Sequence, residues 1–200
     1  MHLAAAFHET LSFVEIVLRN ALDPQLQTWN QAMIGTTNWT KHPATPLDKI
    51  VTPKKANELQ NLADQARRRR SPNHPRKNAG IDHNDRLANT TFGLWRRIFP
   101  DPHQKNTSGY ATASTLWTDA LMNAFPNLSQ DPYGHATGDR VRRLHALRNR
   151  VAHMENLLDV DIHARLRDAL QLVNAIAPDF RDSLQQSTRV PSVASMRPNP

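Results

Sequence analysis

The chain of 200 residues has no cysteine. That excludes a disulfide framework, a thiolate zinc site and a thiol nucleophile, and it fits a reducing compartment. Glycine is scarce, at 6 residues, and no glycine-rich loop of the kind that cradles phosphates occurs. No apolar run is long enough to span a bilayer, so no membrane partner is expected. The opening run Met1–Phe7 is too short for a leader h-region, and no basic segment precedes it. These absences set the expectation of a cytoplasmic protein. Acidic residues are also in deficit: 18 Asp and Glu face 25 Lys and Arg, a net charge of +7. Clustered cations of this excess release counterions from phosphates, which points to a polyanion such as RNA. The plainer alternative is a basic, solvated surface.

What is present is helical periodicity. Leu3, Phe7, Leu11, Val14, Leu18 and Leu22 recur at steps of three and four, one face of an amphipathic helix. Asp23-Pro24 reads as a stop and restart, with Asp as cap and Pro at the first helical position. Residues 35–52, rich in Gly, Thr, Asn and Pro, read as loop, with Trp39 as a surface anchor. A helix is expected from Lys54 to Arg70, then a mobile loop over 71–82. Further helices are expected over Asp85–Phe99, Ala111–Phe125, Asp139–Leu158 and about 162–177, with Pro178 interrupting the last before a short piece to Gln186. No alternating strand pattern appears. The expected fold is all-α, a helical bundle with long loops: one domain over residues 1–187 and a disordered tail over 188–200.

The segment Asp139–Leu158 carries the most chemistry. Leu144, Leu147, Val151, Met154 and Leu158 form an apolar stripe on a helical projection. His145, Asn149 and His153, spaced by four, line the opposite side with Arg142 and Asn156 beside them. Arg148 lies on the flank. A guanidinium presents a planar fork that matches two phosphate oxygens, and an imidazole exchanges protons near neutrality. Asn149 can orient the imidazole or donate to a phosphate oxygen. This set suits attack of an RNA 2′-hydroxyl on its own phosphate, which calls for no metal or other cofactor. An Arg followed five residues later by His is a weak signal alone, since Arg69/His74 and Arg140/His145 share it.

Arg148-Asn149-Arg150-Val151-Ala152-His153 resembles the Arg-Asn-x-x-x-His signature of HEPN-domain ribonucleases, specifically their Abi-like (abortive infection) branch. Phe13–Leu22, with Glu15, Arg19, Asn20 and Ala21, is similar to that branch's first-helix pattern Glu-x-x-x-Arg-Asn-Ala. Thr91–Pro100 resembles its mid-chain Phe-Gly-x-Trp segment. The three occur in the family's order and span most of residues 3–177. The resemblance implies a helical bundle that dimerises so that two Arg/His pairs face one cleft. It implies metal-independent endoribonuclease activity in phage defence or a toxin–antitoxin pair, with tRNA or mRNA as target and an antitoxin as a further partner. By position, Arg148 and His153 are the catalytic pair and Asn149 the supporting amide. Glu15 is the first-helix acid that positions an arginine such as Arg148. Relatives often carry a second His and then Glu after the first; here Met154 follows His153, and Glu155 comes next. Relatives also commonly have more sequence before the first motif.

His145 and Glu155 are supporting candidates. Arg142, Arg150 and the run Arg67-Arg68-Arg69-Arg70 are candidate RNA contacts, the run being the most basic stretch of the chain and followed by Arg76 and Lys77. Glu15 is read either as a paired, half-buried acid or as a solvated one. Arg19-Asn20 is read either as serving the site or as capping the turn before Asp23-Pro24, with the structural role preferred. Trp95 and Trp117 sit at helical spacing with apolar neighbours and are read as core. His83 with Asp82 and Asp85 has no diagnostic metal spacing. A non-catalytic RNA-binding or scaffold protein of the same fold is the competing reading.

Overall fold

The computed structural model describes residues 2–196. The described chain is all-α, with no strand. Its helices are α1 (His2–Ile34), α2 (Pro53–Arg69), α3 (His83–Leu87), α4 (Phe92–Arg97), α5 (Ser108–Asp119), α6 (His135–Ala152), α7 (Ile162–Ile176), α8 (Pro178–Ser187) and α9 (Val190–Ala194). Short 3-10 turns occur at Leu47–Lys49, Pro102–Gln104 and Leu121–Ala124.

Helix α1 is the axis of the bundle, packing against α6, α7 and α9. Its predicted stripe is the buried face: Phe7, Leu11, Val14, Leu18 and Leu22 are all in the core. Burying such side chains is worth about 1.5–3 kcal/mol each. The expected break at Asp23-Pro24 does not occur, and Pro24 stands inside the helix. Leu22 and Leu26 on either side are fully buried, and the Asp23 carboxylate accepts from Trp39 Nε1 (2.8 Å) and Gln27 Nε2 (2.6 Å). Tertiary contacts therefore hold the chain helical through a residue that locally disfavours it. It follows that Arg19-Asn20 caps nothing.

Trp39, expected at the surface, is buried and packs edge-on against Trp95, with ring centroids 5.9 Å apart. Trp95 and Trp117 are core residues as expected. The predicted helix over Asp85–Phe99 is two short ones. Asp82 and Asp85 form a reciprocal capping box that starts α3 two residues early, and Thr90 Oγ1 donates to the Leu87 carbonyl at the break between them.

Helix α6 begins at His135, earlier than expected, because the Asp131 carboxylate accepts from the backbone N–H groups of Ala136 (3.2 Å) and Thr137 (2.7 Å). It packs on α4 and α7. Asp168 of α7 is 7% exposed and receives a bidentate Arg143 fork (2.7 and 2.9 Å) together with Arg165. That fixes the rotation of α6 on its neighbour. Gly138 sets the closest approach: a Cβ there would lie 2.0 Å from the Pro100 carbonyl oxygen. Gly138→Ala is therefore expected to destabilise the fold by about 3 kcal/mol, read as a lower urea midpoint at unchanged slope.

The expected disordered tail is ordered over residues 188–196. Val190 is fully buried, Thr188 Oγ1 hydrogen-bonds Thr10 Oγ1 (2.8 Å), and Arg189 pairs with Glu9 of α1. One apolar anchor and two polar ones over nine residues were enough to dock α9. Residues 197–200 of that expected tail lie outside the described residues.

Candidate functional site

The three segments that carry the family resemblance come together. Glu15, on α1, is half-buried. Burial pushes its carboxyl up from the ordinary value, against the pull of the Arg148 and Arg19 guanidiniums and the Phe92 backbone. Phe92 and Gly93 open α4 and lie over α6. The Phe92 ring is 6.1 Å from the His145 ring, and a Cβ on Gly93 would come within 3.3 Å of His145 Nε2. The Asn149 amide, one turn on, approaches the same nitrogen at 3.5 Å. The His145 imidazole is held below its usual value, first by burial and then by the positive fields of Arg96 and Arg148. A half-buried acid and an imidazole, shifted in opposite directions, thus both feel the charge of Arg148. Glu15 is half-buried rather than solvated, and its hydrogen-bond partner is the Phe92 backbone; no arginine stands within ion-pair distance of it among the described residues.

His153 stands apart from this cluster. It is the residue after the last turn of α6, exposed, with its backbone N–H on the Asn149 carbonyl (2.9 Å). Eight residues separate it from His145, about 12 Å along a helix. Among the described residues no hydrogen bond or ion pair joins Arg148 to His153. Glu155 turns to Arg150 (3.7 Å) rather than to His153.

The stripe and the helix end differ from expectation. Helix α6 stops at Ala152, six residues early, so Met154 (83% exposed) and Leu158 (78% exposed) leave the stripe and Leu157 is buried in their place. The stop is built from two backbone bonds, Met154 N–H to the Val151 carbonyl and Glu155 N–H to the Arg150 carbonyl, with Met154 left-handed at φ +55°. That is the place where helices favour glycine. Met154→Gly is expected to stabilise the chain by about 1 kcal/mol, seen as a raised thermal midpoint. An unchanged midpoint would mean that the turn carries no strain.

The candidate RNA contacts are mostly engaged within the chain. Arg142 is held by Asp139 (2.6 Å), and Arg150 by Asp159 (2.6 Å) and the Asn156 carbonyl (2.7 Å). In the basic run, Arg67 and Arg68 share Asp64, Arg70 pairs with Asp85, and Arg69 faces solvent. Arg76 binds Asp82 and Asp85, and Lys77 donates to the Arg68 and Arg70 carbonyls. The loop over 71–82 is thereby strapped to α2. His83 is likewise occupied: its Nε2 meets Asp23 Oδ1 at 2.7 Å and its Nδ1 meets Thr40 Oγ1 at 3.1 Å.

Sequence reasoning missed Arg96, and for Arg19 it preferred a cap over a role in the site. The spacing Glu15 to Arg19, one helical turn, was the available signal for Arg19. Arg96 had none, because its approach to His145 depends on how α4 crosses α6. Compared with family models, with curated proteins and with solved structures, the chain matches none.

Proposed function

We propose that this chain is a metal-independent endoribonuclease of the Abi-like HEPN kind, working as a cytoplasmic homodimer in phage defence or with an antitoxin. One observation carries the reading. Three segments far apart in the sequence meet through Phe92-Gly93 of α4, which lies against His145 on α6 and hydrogen-bonds Glu15 on α1 through the Phe92 backbone, while the charge of Arg148 acts on both Glu15 and His145.

In this reading the Arg148 fork holds two non-bridging oxygens of the phosphate, with Glu15 behind it fixing its direction. One imidazole takes the proton from the 2′-hydroxyl, whose oxygen attacks phosphorus. The bond from phosphorus to the 5′ oxygen breaks, and the leaving oxygen receives a proton from a second imidazole. The products are a 2′,3′-cyclic phosphate and a 5′-hydroxyl. His153 is the exposed imidazole that can reach a strand, and the second copy of the chain supplies the other.

The test is to incubate purified wild type and His153→Ala with total RNA and tRNA in EDTA and to analyse the new ends. Cleavage by wild type alone, leaving cyclic phosphates, is the expected result. Cleavage by His153→Ala, or 3′-hydroxyl ends, would refute the assignment. The second reading, RNA binding or scaffolding without cleavage, is favoured by one feature: no side chain among the described residues hydrogen-bonds the His153 imidazole. It predicts RNA retention by wild type with no new ends.

A further inference from the structure

A cleft of about 360 Å³ lies on the face where α4 meets the start of α5. Lys49, Arg96 and Arg97 line one side, and Ser108, Gly109 and Tyr110 of the first turn of α5 line another. Asp101 is the one acid among the lining residues, and it is committed: Oδ2 accepts from Arg96 (2.9 Å) and Oδ1 from the His103 backbone (3.0 Å). Lys49 and Arg97 are both exposed, and neither forms an ion pair among the described residues. The cleft therefore keeps two cations without acidic partners. The Arg67–Arg70 run, more basic in sequence, is largely neutralised by Asp64 and Asp85.

Position matters as much as charge. Arg97 and Arg96 follow, on the same short helix, the Phe92 and Gly93 that cover His145. Arg96 links the two regions, since its field also reaches His145. A strand whose reacting phosphate sits at Arg148 would thus find further cations at the end of the short helix that covers His145.

We propose that the cleft formed by Lys49, Arg96 and Arg97 binds the phosphodiester backbone of single-stranded RNA beside the candidate site, and that the Arg67–Arg70 run does not. Lys49 and Arg97 are assigned to phosphates, and phosphate contacts carry no sequence information, so their contribution is positioning. This inference rests on the ribonuclease reading, and its test scores binding without cleavage.

The experiment measures binding of a 2′-O-methylated single-stranded oligonucleotide, which cannot be cut by 2′-hydroxyl attack, over a series of salt concentrations. Three proteins are compared: wild type, Lys49→Ala/Arg97→Ala, and Arg68→Ala/Arg69→Ala. All four substituted side chains are exposed or lie on the rim of the fold, and circular dichroism melts verify that each variant is folded. The expected result for Lys49→Ala/Arg97→Ala is an affinity about tenfold weaker at low salt, with the slope of log affinity against log salt shallower by about 1–2. Arg68→Ala/Arg69→Ala should match wild type in both. Wild-type slope and affinity in the cleft variant would overturn the cleft while leaving the ribonuclease reading intact. A slope lost in the Arg68→Ala/Arg69→Ala protein instead would overturn it in favour of the run. Absence of binding by wild type at any salt would sink the cleft and the ribonuclease reading together.

Discussion

Arg148→Ala is expected to lower single-turnover RNA cleavage by about a thousandfold or more while leaving the chain folded. Removing one preorganised donor to a developing charge costs about 10²–10³ in rate, and Arg148 is assigned two such donors. Its charge also acts on Glu15, so its loss has a second effect. Burial already raises the Glu15 carboxyl, and Arg148 is one of the two guanidiniums opposing that shift. Without it, Glu15 ionises at still higher pH. The stability cost is small, about 1 kcal/mol or less, because both side chains reach solvent. Arg148→Lys separates the two roles. A lysine restores a cation beside Glu15 but not the planar fork, so the thermal midpoint should recover and the rate should not. Growth arrest on expression of the wild type, relieved by Arg148→Ala, is the matching result in cells. Cleavage by Arg148→Ala within about tenfold of wild type would remove Arg148 from the chemistry.

The parts of this molecule legible in the sequence are those governed by local periodicity. The stripe Phe7 to Leu22 is the core face of α1, and Leu144, Leu147 and Val151 are the core face of α6. What local pattern could not give was decided by partners distant in sequence. Asp23-Pro24 has the composition of a helix stop, yet Trp39 and His83 bind the Asp23 carboxylate and the helix runs through. Four consecutive arginines look like an open cationic patch until Asp85, fifteen residues beyond Arg70, closes on it. Residues 188–196 have a tail's composition, but Val190 finds a buried seat. Of the site, Asn149 and His145 were named from sequence and approach each other, Glu15 joins them through the Phe92 backbone, and Arg148 acts on Glu15 and His145 through its charge. His153 was named and lies exposed beyond the helix end, because the left-handed Met154 turns the chain before a further helical turn could form. The Arg148-to-His153 gap was visible in the spacing, and within one copy of the chain the fold does not close it.

Asp23→Ala is expected to be the most destabilising single change in the α1 half of the molecule, at about 3–5 kcal/mol. Asp23 is 6% exposed, and its carboxylate is the acceptor for three side chains from three parts of the chain: Gln27 one turn along α1, Trp39 in the loop that follows, and His83 at the start of α3. His83 passes the connection on to Thr40, which also receives Arg86 Nε at 3.1 Å. Deleting the carboxylate leaves the Trp39 indole N–H, 1% exposed as a residue, without an acceptor, and unpairs His83 beside it. Asp23→Asn should cost less, about 1–2 kcal/mol, since one amide oxygen still accepts while the amide nitrogen opposes the Gln27 donor. The acid response gives an independent check. Burial alone would raise the Asp23 carboxyl, but its bonds from His83, Trp39 and Gln27 prevail and hold it below the ordinary aspartate value. A depressed folded-state value means that the stabilisation is complete above the unfolded pKa near 4 and is lost as pH falls through the lower folded value. Wild type should therefore lose more stability than Asp23→Asn on going from about pH 5 to pH 2.5, measured as urea midpoints. Parallel acid curves for the two proteins would show that the charge of Asp23 contributes nothing, and that its role is steric.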